Sequence, residues 1–113
     1  MSKESPDDKQ MLADLLAICN KNLPKVNEDL ITKAFKFALE AHKHDLRASG
    51  EPYFYHPYEV ARIVVEEFPL DDITVVATLL HDVVEDTDFD LNLMTKEFGK
   101  EVTEIVDGVT KIS

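Results

Sequence analysis

Apolar residues recur at helical spacing along most of this chain. The first predicted helix, residues 8–21, has its apolar positions at Met11, Leu12, Leu15, Leu16, Ile18 and Cys19. The second has them at Ile31, Ala34, Phe35, Ala38, Leu39 and Ala41. Apolar residues three and four positions apart form one face of an amphipathic helix, whereas a half-buried strand would alternate apolar and polar residues. The pattern therefore predicts an all-α fold.

Capping residues divide the chain into about six helices. Asn27 is the predicted N-cap of the second helix, and Asp71 or Asp72 that of the fourth. Pro57 is the predicted first residue of the third helix, where its missing N–H costs nothing. Gly99 is expected at the end of the fifth helix. The predicted helices cover about residues 8–21, 28–44, 57–67, 72–86, 91–98 and 100–112.

The fourth predicted helix changes character near its end. An apolar run, residues 73–80, is followed by the sequence His81-Asp82-Val83-Val84-Glu85-Asp86-Thr87. Glu85 lies four residues after His81, and Asp86 four after Asp82, so these side chains are neighbours on the helix surface. Carboxylates are unfavourable beside the negative end of a helix dipole and beside one another. A divalent metal would relieve the repulsion; a merely solvated helix end explains the cluster equally well.

The ligand types favour a first-row metal. An imidazole nitrogen together with a carboxylate suits manganese, iron or zinc better than calcium. His56, at the entrance of the third helix, is a candidate third ligand from another element. Three protein ligands would leave positions open for water or substrate, and Glu85 and Asp86 could orient that water or accept its proton.

The remaining chemistry-bearing residues have simpler interpretations. His42 and His44 are predicted to be solvated at the end of the second helix, where they suit its dipole. Arg47 could stack on a base or bind a phosphate, although an isolated loop arginine is usually solvated. Cys19 lies on an apolar helix face and is predicted to be a core residue.

Composition excludes several classes of protein. The formal net charge is −11, so the chain is a poor general binder of nucleic acid or anionic membrane. Its single cysteine excludes an internal disulfide and fits a reducing compartment. No secretory signal is visible in residues 1–10, and no apolar stretch is long enough to span a membrane. We therefore expect a cytoplasmic protein.

Four longer motifs occur along the chain in the order Arg47-Ala-Ser-Gly-Glu-Pro-Tyr-Phe-Tyr-His56-Pro, Leu79-Leu-His-Asp-Val-Val-Glu-Asp-Thr87, Phe98-Gly-Lys-Glu-Val and Val106-Asp-Gly-Val-Thr-Lys111. In this order and at these separations, they closely resemble the hydrolase domain of the RelA/SpoT family, a member of the HD superfamily of metal-dependent phosphohydrolases. The resemblance covers roughly residues 31–112. It implies an HD-type helical domain.

The resemblance also implies a reaction: removal of the 3′-pyrophosphate of (p)ppGpp to give GDP or GTP, with Mn²⁺. By position, the implied metal ligands are His56, His81 and Asp82. The implied catalytic pair is Glu85 and Asp86. The implied substrate-binding residues are Arg47, which would pack against the guanine base, and Ser49 in the same loop.

Two features depart from the family pattern. Many members have a second basic residue after the arginine, and here that position is Ala48. The family's fourth metal ligand is an aspartate in a later helix, and no matching motif occurs before Ser113. We therefore expect residues 27–113 to be the N-terminal part of the hydrolase domain, lacking its C-terminal helices, preceded by a segment, 1–26, with one helix. Apolar surface left uncovered would favour self-association.

Two alternatives are also compatible with the sequence. The first is an HD-type phosphohydrolase acting on another nucleotide. The second is a catalytically incomplete helical module with a regulatory or interaction role. The parent protein, if it is a (p)ppGpp hydrolase, could also carry a synthetase.

Overall fold

A computed structural model describes residues 6–46, 48–67, 71–86 and 91–112. Within these ranges, side chains are described except those of Pro6, Asp82, residues 84–86 and residues 109–112. The helices are α1 (Pro6–Asn22), α2 (Glu28–Ala41), α3 (Tyr55–Glu67), α4 (Asp72–Asp86), α5 (Leu91–Phe98) and α6 (Lys100–Ile112). No strand is formed by these described residues, and the predicted all-α fold is confirmed.

Helix α4 lies at the centre of the fold and packs against α2, α3 and α6. Its buried side chains are Val75, Val76, Ala77, Leu79, Leu80 and Val83. These positions surround most of the helix, as expected of a helix enclosed by neighbours rather than lying on a surface. Helix α1 packs against α2 and α3, and α5 packs against α6. The Cα radius of gyration, 13.3 Å, is about that of a compact domain of this length.

An aromatic cluster joins α2 to α3. The Phe35 ring meets Phe54 edge to face at a centroid distance of 5.0 Å, and Tyr58 at 6.0 Å. Such edge-to-face pairs are favourable beyond the apolar area they bury. The Tyr58 hydroxyl donates a hydrogen bond of 2.7 Å to the Met11 carbonyl on α1. Three helices are therefore fixed together at the point where the segment before α3 enters the core.

Two capping interactions set α2 beside α4. The Asn27 side chain accepts a hydrogen bond of 3.1 Å from the Leu30 N–H, as predicted for the N-cap of α2. The Asn27 N–H donates to Asp72 Oδ2 at 2.8 Å. Asp71 Oδ1 accepts from the Thr74 N–H at 2.8 Å, which makes Asp71 the cap of α4. The two helix N-termini are therefore linked directly to each other.

Two predicted helix boundaries are wrong. Helix α2 ends at Ala41 rather than about residue 44, because the backbone of His42 leaves the helical region, with φ −105° and ψ 8°. Helix α3 begins at Tyr55, two residues before Pro57. The first-turn N–H groups of a helix have no partner within the helix, so proline is tolerated at the third helical position as well as the first. Gly99, with φ +95°, lies just after α5 as predicted.

Replacing Phe35 by Ala should reduce the free energy of unfolding by about 3–5 kcal/mol, because the fully buried ring leaves a cavity beside two aromatic neighbours. Urea unfolding followed by circular dichroism measures this. The matched control is Ile63→Ala on α3, whose side chain is 53% exposed and which should change stability by no more than about 0.5 kcal/mol. Equal effects of the two substitutions would contradict the assigned core.

Candidate functional site

His81 lies where the buried part of α4 gives way to a polar end. Its side chain is partly exposed, and its Nδ1 lies 2.8 Å from the Thr78 carbonyl oxygen. Because a carbonyl can only accept, Nδ1 is the donor, and this tautomer places the lone pair on Nε2. Metal-binding histidines commonly donate their other ring N–H to a carbonyl or carboxylate in this way, which fixes the ring orientation. His81 is therefore suited to ligate a metal through Nε2.

The acidic residues predicted to surround the metal lie on the same helix. Asp82, Glu85 and Asp86 all belong to α4, so their helical spacing is as predicted. Their side chains lie outside the described part of the structure. Their roles as ligand and catalytic pair stay predictions.

His56 is the second residue of α3, and its side chain is exposed. Its N–H donates to the Tyr53 carbonyl at 3.0 Å, and its ring lies 6.2 Å from the Tyr53 ring, centroid to centroid. A cavity of about 470 Å³ opens beside it, lined by Glu51, Tyr55, His56, Glu59, Val60 and Ile63. His56 thus combines exposure with a neighbouring concave surface, as a ligand-binding position requires.

The structure brings together the helices that carry the two histidines, since α3 packs against α4. Among the side chains that are described, no group of three or more His, Cys, Asp or Glu could hold a metal ion. Asp82, the predicted third ligand, is not among them. The three-residue metal site accordingly remains a prediction, which the donor chemistry of His81 supports.

The connector between α2 and α3 forms a closed loop. The Tyr53 N–H donates to the Asp45 carbonyl at 2.9 Å, and Leu46 forms an isolated antiparallel bridge with Pro52. Gly50 turns the chain with φ +91°, a conformation that favours glycine. Ser49 is exposed within this loop. The predicted substrate-binding residue Arg47 lies between these positions but outside the described residues.

His42 is not solvated, which corrects the prediction from the sequence. Its side chain is 1% exposed, and its ring lies 4.9 Å from the Tyr53 ring. Its Nδ1 is 3.2 Å from Asp45 Oδ2, while Nε2 has no hydrogen-bond partner among the described residues. Such an unpartnered buried polar atom costs about 1–3 kcal/mol.

The sequence did contain a signal for this burial. His42 lies four residues after the buried Ala38 and continues the apolar face of α2 beyond the last helical turn. A polar residue in that register indicates a specific partner rather than a solvated helix end. His44 is exposed, as predicted.

Cys19 is fully buried in the core, as predicted. Burial raises the pKa of its thiol from 9.0 to about 11, with a smaller contribution from the negative charge of Asp72. A reactive cysteine needs the opposite shift, towards the thiolate. Its burial and raised pKa identify Cys19 as a packing residue rather than a candidate nucleophile.

A larger cleft of about 630 Å³ lies at the N-termini of α2 and α4, lined by Lys25, Val26, Asn27, Glu28, Asp29 and Asp72. None of the predicted site residues lines it.

Within the described part of the chain, no helix is both long and apolar enough to cross a membrane.

Comparison with known proteins gives an independent result. The HD domain family matches residues 34–113. The chain is 45% identical over 102 residues to a probable GTP pyrophosphokinase of Mycobacterium leprae, covering 90% of this chain and 13% of that protein. It is 44% identical over 89 residues to the GTP pyrophosphokinase rsh of Brucella melitensis (79% and 12%), and 47% identical over 90 residues to a GTP pyrophosphokinase of Myxococcus xanthus (80% and 12%). The chain therefore spans only 12–13% of the length of these curated relatives.

The raised pKa of Cys19 predicts a pH dependence of stability. Between pH 9 and about 11 the unfolded chain releases the thiol proton while the folded chain retains it, so the free energy of unfolding should fall as pH rises. Burial also raises the pKa of Tyr58, which adds to the decline. Urea unfolding below pH 9 and near pH 11 measures how much the free energy of unfolding falls between the two. The fall should be smaller in Cys19→Ala, which keeps Tyr58, than in the unmodified chain. Equal losses would contradict the assignment.

Proposed function

Because this chain belongs to the HD domain family and is similar over most of its length to RelA/SpoT-type proteins, we propose that it is part of an enzyme that hydrolyses the 3′-pyrophosphate of (p)ppGpp in a metal-dependent reaction. The observation that carries the proposal is the hydrogen bond from His81 Nδ1 to Thr78. This bond holds the His81 ring in an orientation that is common among metal-binding histidines.

The names of the relatives describe a pyrophosphokinase, that is, pyrophosphoryl transfer to GTP. Those names apply to whole proteins of which this chain spans about an eighth. The chain's own chemistry favours hydrolysis instead, because it has a histidine and carboxylates in an HD domain. Both reactions concern guanine nucleotides with a pyrophosphate group, so the substrate class is common to them.

In the proposed site, His56, His81 and Asp82 would hold one Mn²⁺ ion. When bound, the metal would supply a Lewis acid that lowers the pKa of water and polarises a phosphoryl oxygen. Glu85 and Asp86 orient the attacking water and accept its proton. The water oxygen forms a bond to the phosphorus that is attached to the nucleotide 3′ oxygen, the bond between that phosphorus and the 3′ oxygen breaks, and a proton goes to the 3′ oxygen. The products are pyrophosphate and GDP, or GTP from pppGpp.

Electrostatics require local cations at such a site. The chain carries a net charge of −11, which repels a polyanionic nucleotide. Besides the metal, the connector supplies Arg47, whose guanidinium is suited to stack on the guanine base. The Ser49 hydroxyl, exposed in the same loop, can donate a hydrogen bond to the nucleotide. The loop thus has the groups that would select the base, and α4 those that would perform hydrolysis.

We expect the chain to bind Mn²⁺ at one saturable site and His81→Ala to weaken that binding at least about tenfold, since it removes a ligand. Isothermal titration calorimetry measures this. His44→Ala is the matched control, because it removes an exposed histidine outside the proposed site. Identical binding by all three proteins, or none by the unmodified chain, would contradict the metal site.

Replacing Glu85 by Gln and Asp86 by Asn together should reduce ppGpp hydrolysis at least about 100-fold, because the water loses its proton acceptor. Thermal unfolding should be unchanged or slightly improved, since like charges at this spacing repel. Pyrophosphate release measures turnover. The control, Glu66→Gln with Glu67→Gln, removes two exposed charges from α3 and should leave turnover unchanged.

The same assay separates the alternatives. Faster turnover of dGTP or a cyclic nucleotide than of ppGpp would identify an HD phosphohydrolase with another substrate. Turnover that is equal in the two double variants would show that Glu85 and Asp86 are not catalytic. No turnover of any of these nucleotides, by the unmodified chain or by a longer chain that includes the family's later aspartate, would favour a regulatory module.

A further inference from the structure

We propose that His42 is a positioning residue that fixes the α2–α3 connector, and with it His56, by binding Asp45 and packing against Tyr53. We call these three residues the connector latch. The inference rests on the proposed function, since the connector carries Arg47 and Ser49 and leads directly into His56. None of the three latch residues belongs to the predicted metal, catalytic or substrate-binding set.

Asp45 is held at three points. Its N–H donates to the His42 carbonyl at 2.9 Å, and its own carbonyl accepts from the Tyr53 N–H at 2.9 Å. Its side chain accepts from His42 Nδ1 at 3.2 Å. The side-chain bond therefore ties both ends of the connector, which meet at Asp45 and Tyr53, to the buried end of α2.

The latch continues from Tyr53 to the candidate metal ligand. The Tyr53 ring packs against His42 on one side, at 4.9 Å, and contacts the His56 ring at 6.2 Å. The Tyr53 carbonyl accepts the His56 N–H at 3.0 Å. A shift of Tyr53 would therefore move the first turn of α3 and the imidazole of His56.

Packing alone does not explain a histidine at position 42. Its Nε2 has no hydrogen-bond partner among the described residues, although the side chain is buried. A phenylalanine would fill similar space without an unpartnered polar atom. What histidine adds is the Nδ1–H that binds Asp45. A buried histidine with one unpartnered nitrogen is unfavourable for stability. Such a residue is expected where a specific contact, here the one to Asp45, must hold a functional geometry.

Asp45 offers a way to break the latch from outside the core. Its side chain is 51% exposed, so Asp45→Ala removes the acceptor without opening a buried cavity. Asp45→Asn retains a carbonyl acceptor and is its matched control. On the buried side, His42→Phe keeps the volume but removes the donor, whereas His42→Asn places an amide N–H near the position of Nδ1.

The first measurement is amide hydrogen exchange by NMR on the metal-free chain. In Asp45→Ala and His42→Phe, exchange of the Tyr53 amide should be about tenfold faster, as expected when one hydrogen bond no longer holds the segment. Exchange of the Leu79 amide in buried α4 should not change. Asp45→Asn and His42→Asn should restore slow exchange at Tyr53, which a purely structural loss of packing would not do.

The second measurement is Mn²⁺ affinity by calorimetry. We expect about tenfold weaker binding in Asp45→Ala and His42→Phe, the usual effect of losing a group that orients a metal ligand. The control variants Asp45→Asn and His42→Asn should bind Mn²⁺ with the affinity of the unmodified chain.

The outcomes separate the two proposals. Unchanged Tyr53 exchange in both Asp45→Ala and His42→Phe would overturn the latch. Faster exchange with unchanged Mn²⁺ affinity would overturn its role in positioning His56. An unmodified chain that binds no Mn²⁺ would contradict the proposed function, and the exchange rates would then support or overturn the latch independently of the metal.

Discussion

The enclosure of α4 by α2, α3 and α6 is the constraint on which the rest of this structure depends. A helix that is apolar around most of its surface has to be surrounded, and its neighbours take their positions from that requirement. The linked N-termini of α2 and α4, through Asn27 and Asp72, fix one end of the arrangement. Towards the other end of α4, His81 is partly exposed, and the Thr78 carbonyl orients its ring. The packing of α4 thereby fixes the position of the His81 imidazole, a candidate metal ligand.

The candidate site combines residues from two helices. His81 belongs to the central helix, whereas His56 is exposed at the start of α3, directly after the connector. Such a connector needs additional restraint if its residues are to act together with a group on α4. Asp45, bound through its N–H, carbonyl and carboxylate, supplies that restraint. The net charge of −11 also requires well-positioned groups, because a negatively charged surface does not attract an anionic ligand in general. Such a ligand would depend on a few local cations.

Much of the fold could be predicted from local patterns. The apolar spacing of α1 and α2, the capping roles of Asn27 and Asp71, and the position of Gly99 all depend on interactions within a few residues, and the structure confirms them. The end of α2 and the start of α3 were predicted wrongly for a different reason. His42 leaves the helix to be buried against Tyr53, eleven positions further along the sequence, and α3 starts from hydrogen bonds to Pro52 and Tyr53. Those partners come from folding of the connector, so helix-end rules could not identify them.

By itself, the sequence determined the helical class, the core positions and the family, because hydrophobic periodicity, capping chemistry and long motifs are local properties of the chain. It also determined which residue types are available for a metal and a nucleotide. Only the tertiary structure decided that His42 is buried while His44 is exposed, that Asp45 closes the connector, and that the helices carrying His56 and His81 pack together. These facts depend on contacts between distant segments, and such contacts form only when the apolar faces of several helices are buried together.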